Sequence, residues 1–187
     1  LKRQRDAFGL SIYAKENEYY APAKGNEKHR RMLIHQLENL LNKQSIETTD
    51  TYHVLHQIAE KIHRRSLIFL FTDMLQADKK EEELFAALQH LKYNKHEVIL
   101  FHTIDKAKEI DFNFENRPYQ FVDLETGEEL KLHPNEVKDN YIKETLKRKK
   151  ELKLKCTQYG IEFVEADINK GFHDVLQTYL IKRKKMM

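Results

Sequence analysis

The run Ser66-Leu67-Ile68-Phe69-Leu70-Phe71, followed at once by Thr72 and Asp73, constrains this chain more than any other feature. Apolar side chains at successive rather than alternate positions predict a strand covered on both faces, as parallel strands are. Ser66 to Leu75 is therefore expected to form a buried parallel strand that delivers Asp73 to the rim of an α/β sheet. Asp73 itself has no place inside the core, because an unpaired buried charge costs several kcal/mol. It must meet solvent, a helix end or a cation.

The rest of the chain supplies the partners that such a strand needs. Asp6 to Tyr13 has the aromatic and β-branched content of a buried strand, and Glu18 to Ala21 reads as a short edge strand ended by Pro22 and the Lys24-Gly25-Asn26 turn. From Lys28 to Asn42, Leu33, Leu37, Leu40 and Leu41 recur at helical spacing. Thr48-Thr49-Asp50 offers N-caps for a second helix bearing Val54, Leu55, Ile58 and Ile62 on one face. After the apolar strand come a helix over Glu81–Tyr93 with Leu84, Phe85, Leu88 and Leu91 inward, and a second buried strand over His96–Thr103. From Asp105 to His133 the pattern changes to a β-hairpin on either side of Glu125-Thr126-Gly127. A long basic helix over Asn135–Gln158, a strand at IEFVEA and a last helix over Phe172–Arg183 complete the chain. Strands and helices in alternation predict one α/β domain over residues 1–187, with a doubly wound, mostly parallel sheet and an inserted hairpin. In such sheets ligands sit beyond the carboxyl ends of the strands, so Thr72, Asp73, Thr103, Asp105, Glu165 and Asp167 are the positions of interest.

Composition removes several classes. The 40% hydrophobic content, with 10 Phe and 9 Tyr, is enough for a core, so 34% charged residues do not imply disorder. A formal net charge of +3 gives no general argument for nucleic acid. One cysteine, Cys156, excludes a disulfide framework and a Cys-based zinc site, fits a reducing, cytoplasmic setting, and reads as a small buried hydrophobe. No apolar run approaches the ~20 residues that span a bilayer. The basic opening Leu1-Lys2-Arg3-Gln4-Arg5, without an initiator Met, resembles the tail of a helix, so a longer native protein with membrane segments elsewhere is an expectation.

Two readings of Asp73 remain open on these residues. It caps a helix or accepts loop N–H groups, or it is a ligand for a hard cation or a catalytic acid. Mg²⁺ takes one or two carboxylates with hydroxyl oxygens, which the Thr48-Thr49-Asp50 stretch before the preceding helix could supply; the plain role of that stretch is N-capping. The 10 histidines form no convincing ligand set: His53 and His56 are three apart on a helix without a matching carboxylate, and surface positions on helices are expected. Lys143 to Lys155 holds seven Lys/Arg against two Glu, which reads as a solvated helix face more than a phosphate-binding one. No Walker A loop, GxGxxG or G-x-S-x-G is present.

Arg5-Asp6-Ala7-Phe8-Gly9-Leu10-Ser11, Pro22-Ala23-Lys24-Gly25, His29, Thr49-Asp50 and Arg64-Arg65-Ser66-Leu67-Ile68-Phe69-Leu70-Phe71-Thr72-Asp73 together resemble the von Willebrand factor A-type domain of the domain-of-unknown-function 58 family. His96-Glu97-Val98, Asp123-Leu124-Glu125-Thr126-Gly127-Glu128 and Phe172 to Arg183 resemble it too, in the manner of its Bacteroidetes-type members. The resemblance implies a metal-ion-dependent adhesion site built from a D-x-S-x-S loop, a Thr and an Asp. Thr49 and Asp73 match the last two, and D-x-S-x-S is absent from the 187 residues. It also implies that the strand before D-x-S-x-S is central, between Asp6–Tyr13 and Ser66–Phe71. A disturbed sheet, or a strand exchanged in an oligomer, is then expected, with Mg²⁺ or Mn²⁺ bound by the intact protein and not by this fragment.

As to function, the resemblance implies a non-enzymatic protein-interaction module that acts as adaptor to a MoxR-type AAA+ ATPase. The competing expectations are a Mg²⁺-dependent phosphohydrolase or nuclease in which Asp73 and Asp105 share the ion, and a nucleic-acid module using the helix from Asn135 onward.

Overall fold

The computed structural model describes residues 6–13, 17–42, 51–73, 78–115, 117–122 and 129–186. The chain is α/β, with a three-stranded parallel sheet at its centre and helices on both sides. The central sheet consists of β3 (Leu67–Thr72), β4 (Glu97–Ile104) and β7 (Glu162–Asp167), in the order β3-β4-β7. Leu67 to Thr72 lie beside Glu97 to His102, and Ile99 to Ile104 beside Glu162 to Asp167. Two antiparallel hairpins are separate sheets: β1 (Phe8–Tyr13) with β2 (Asn17–Lys24), and β5 (Tyr119–Val122) with β6 (Glu129–Leu132). The expected hairpin within 105–133 is thus present. The pair at the start of the chain is present too, with β2 running through Pro22 instead of ending there.

The helices form where caps and apolar spacing require them. Asn26, in extended conformation, begins α1 (Glu27–Leu41) by accepting the His29 N–H on its side chain at 2.8 Å. Helices α2 (Thr51–Lys61) and α3 (Asp78–Tyr93) pack against each other, and α4 (Pro134–Gln158) starts on a proline, whose missing N–H costs nothing in the first turn. The expected cap Thr48-Thr49-Asp50 lies outside the described residues. One side of the sheet buries Leu70, Val98 and Leu100 under Val54, Leu55 and Ile58 of α2, Leu84, Leu88 and Leu91 of α3, and Leu152 and Cys156 of α4. The other buries Ile99 and Phe101 under Val175 and Tyr179 of α5 (Phe172–Met186). Each of these large side chains contributes ~1.5–3 kcal/mol relative to an exposed position.

Strand β4, whose residues Val98 to Phe101 are buried on both faces, is the doubly covered parallel strand that its composition predicts. Strand β3 departs from that expectation. Leu67, Phe69 and Phe71 remain 39%, 45% and 60% exposed, so only one side of the strand is covered as the apolar run demands. They lie on the face of Ile99 and Phe101, where α5 packs over β4 and leaves β3 at its margin. The Ser66 carbonyl accepts the Glu97 N–H at 2.9 Å, so Ser66, Ile68 and Leu70 direct their backbone groups to β4. By alternation, Leu67, Phe69 and Phe71 direct theirs outward, where no strand is paired among the described residues. Instead the Tyr13 hydroxyl of β1 donates to the Phe71 carbonyl at 3.4 Å.

Two other expectations are corrected. Of the four leucines placed inward on α1, only Leu33 is buried, because α1 rests on the small β1–β2 hairpin and not on a broad sheet. The histidines are not all on helix surfaces: His29, His96 and His102 are buried. His29 Nε2 lies 3.0 Å from the Phe8 carbonyl, joining α1 to β1, and His96 Nδ1 accepts the Ser66 N–H at 3.2 Å where the β3–β4 ladder begins.

Candidate functional site

The carboxyl ends of β3, β4 and β7 form one rim, and the structure sorts its residues into two groups. The first gathers around the turn after β4. Asp105 caps a short π-helical turn over Lys106–Ile110, its Oδ1 accepting the Lys108 N–H at 3.2 Å while its own N–H donates to Glu109 Oε1 at 2.8 Å. The Asn169 amide, from the turn after β7, donates to the same Oδ1 at 2.7 Å. Asp167 Oδ1 accepts from the Asn169 N–H at 3.1 Å and lies 3.5 Å from the Lys106 N–H. Burial tends to raise the Asp105 carboxyl, but the Asn169 amide, with the N–H and ammonium of Lys108, outweighs it and holds the group below its ordinary value. Asp105 and Asp167 are thus brought together as acceptors in a self-contained network that ties two loops.

The second group gathers at the exit of β3. Asp73 is exposed directly after the last ladder residue, Thr72, as its place behind the apolar run Leu67–Phe71 predicts. Its carbonyl lies 3.0 Å from Nε2 of His102, a side chain of β4 that is only 7% exposed. A carbonyl can only accept, so Nε2 carries the proton and Nδ1 is a bare lone pair, buried with no hydrogen-bond partner among the described residues. Burial pushes the His102 pKa down, against the raising effects of the Asp73 carbonyl, Glu109 and Glu165. The ring leans on Phe163 at 5.6 Å between centroids. Nearby, Lys149 of α4 reaches Glu165 of β7 at 2.5 Å. On the opposite side, burial and then the charge of Asp73 push the Tyr13 phenol strongly upward.

Thr49, the other expected ligand, lies outside the described residues. Among the described residues no group of three or more His, Cys, Asp or Glu side chains is placed to hold a metal ion. His102 and Tyr13 are the rim residues that pattern reading passes over. His102 had one signal: an imidazole closing the buried run Val98–Phe101, where a polar group must find a partner.

Parallel strands between helix layers, with an acidic rim at their carboxyl ends, define a Rossmann-like α/β protein. The model of the family "Protein of unknown function DUF58" matches residues 1–151, and the chain belongs to that family. Comparison with curated proteins and with solved structures returned no match. No helix among the described residues is long and apolar enough to cross a membrane.

Proposed function

We propose that this chain is a non-enzymatic protein-interaction module of the von Willebrand A type, in the manner of Bacteroidetes-type members of its family. In this reading Asp73 and Thr49 are two ligands of a metal-ion-dependent adhesion site for Mg²⁺ or Mn²⁺. The observation that carries the reading is the placement of Asp73, an exposed carboxylate fixed at the carboxyl end of a parallel strand. Asp73 by itself cannot hold a hard cation, which takes about six oxygens, so the site is completed by Thr49, a D-x-S-x-S loop and waters, with one position open to an acidic side chain of the partner. The outer edge of β3 supports the same reading. The outward backbone groups of Leu67, Phe69 and Phe71 are what an additional strand beside β3 would pair with.

The partner proposed is a MoxR-type AAA+ ATPase, with the module as its adaptor. Calorimetry of a chain that carries a D-x-S-x-S loop together with these residues should register Mg²⁺ or Mn²⁺ binding; no heat with either ion would end the metal reading. A pull-down of the ATPase with and without Mg²⁺ should succeed only with the ion, and fail in Asp73→Ala. A shared-ion phosphohydrolase is the weaker reading, since Asp105 already accepts from Asn169 and Lys108.

A further inference from the structure

We propose that His56 of α2 and His90 of α3 form a binding site for one transition-metal dication of the Zn²⁺ class, which bridges the two helices. The site shares no residue with the Asp73 rim, so it stands or falls apart from the adhesion-site reading.

Packing of α2 on α3 brings together two imidazoles that are 34 residues apart in the chain. Nδ1 of His56 and Nδ1 of His90 lie 3.2 Å apart, with ring centroids 5.4 Å apart and ring planes inclined by 43°. Two nitrogens bound to one tetrahedral Zn²⁺ at ~2.0–2.1 Å are themselves ~3.3 Å apart, so the pair already has the spacing of a chelate. Neutral rings close this contact only if one Nδ1 carries a hydrogen and the other offers its lone pair. A metal ion takes the place of that hydrogen and draws on both lone pairs at once. The displaced proton returns through water to Nε2 of the same ring, so no net proton leaves the pair. Both rings are half-buried, held by the helix packing yet open enough for an ion to enter. Imidazole nitrogens suit Zn²⁺, Cu²⁺ or Ni²⁺, whereas Mg²⁺ prefers oxygen. His53, one turn before His56, is engaged differently: Gln57 Nε2, which can only donate, lies 3.0 Å from His53 Nε2 and takes up its lone pair. Among the described residues no third His, Cys, Asp or Glu is placed to join the pair, so waters fill the remaining positions.

The test titrates the chain with Zn²⁺ alone, followed by calorimetry and by long-range ¹H–¹⁵N spectra of the imidazoles. One equivalent of Zn²⁺ should bind ahead of any weaker sites. It should convert both His56 and His90 to Nε2–H rings with shifted Nδ1 resonances. Holding the second ligand in place is worth a factor of about 100 or more, so His56→Asn and His90→Asn should each weaken that equivalent by about as much. The double variant should bind little worse than either single one, because the loss of either ring already breaks the chelate. His53→Asn should leave the tight equivalent unchanged, and all of these variants should melt cooperatively without metal. The spectra of the wild type test the site even if a variant does not fold. A wild type with no tight equivalent, an Nδ1 resonance of either ring that Zn²⁺ does not move, or losses that add independently in the double variant would each overturn the proposal. A tight equivalent abolished by His53→Asn would place the ion on His53 and His56 of one helix, and would overturn it too.

Discussion

Replacing Lys95 by glycine should stabilise the protein, and two equivalent helix ends in the structure give the size of the effect. Helix α4 ends with Tyr159 and Gly160; the Ile161 N–H returns to the Cys156 carbonyl at 2.8 Å and the Gly160 N–H to Thr157 at 3.1 Å, with Gly160 at φ 64°. Helix α3 ends in the same pattern, the His96 N–H to Leu91 at 3.2 Å and the Lys95 N–H to Lys92 at 2.9 Å. Here a lysine occupies the left-handed position, also at φ 64°. That conformation costs an L-residue ~1–2 kcal/mol, whereas glycine adopts it freely at an unfolded-state entropy cost of ~0.5–1 kcal/mol. Lys95 is exposed, so little else is lost. The net expectation for Lys95→Gly is a gain of ~0.5–1 kcal/mol, or ~1–4 °C in Tm for a domain of this size. The reverse experiment is Gly160→Ala. A Cβ there would meet only the tip of Lys92, at 3.6 Å, so the loss should be conformational alone and close to 1 kcal/mol. Urea titration of both variants beside the wild type measures the pair. A Lys95→Gly protein no more stable than the wild type, or a Gly160→Ala protein that loses nothing, would refute the account.

Other expectations follow from burial. Leu100→Ala, at a fully buried position, should cost ~2–5 kcal/mol, whereas Phe71→Ala, at 60% exposure, should cost less than ~1 kcal/mol in urea unfolding of the monomer. Equal losses would mean that the outer side of β3 is covered in solution, and sedimentation would then show whether a second copy covers it. Burial holds the folded-state pKa of both His96 and His102 below the ordinary histidine value. The unfolded chain therefore takes up protons first as pH falls, and stability is full above about pH 6.5, declines below it and levels off beneath the depressed folded values. His96→Asn, which keeps an acceptor for the Ser66 N–H, should flatten part of that decline; a curve as steep as that of the wild type would discount His96.

Much of the fold was legible in the chain because its signals are local. Successive apolar residues marked β3 and β4, and the spacing of Val54, Leu55 and Ile58 marked the buried side of α2. The position of Asp73 was legible for the same reason: a carboxylate just beyond the apolar run Leu67–Phe71 has only the rim to go to. What the chain could not announce is anything that depends on which strands meet. Composition asks for cover on both sides of β3, and only the packing reveals that Leu67, Phe69 and Phe71 receive little of it, because which strand a helix covers is a property of the assembled layers and not of the strand. Likewise, Asp105 and Asp167 read as candidate ligands until the turn after β7 brought Asn169 between them. His102 read as one histidine among 10; the parallel register beside β3 alone set its imidazole against the Asp73 carbonyl. The sequence by itself determined the elements, the buried strand and the acidic residue at its end, since these follow from hydrophobic periodicity within a few residues. The tertiary structure decided which edge stays open and which side chain grips that acid, since both require partners some 30 to 60 residues apart in the chain.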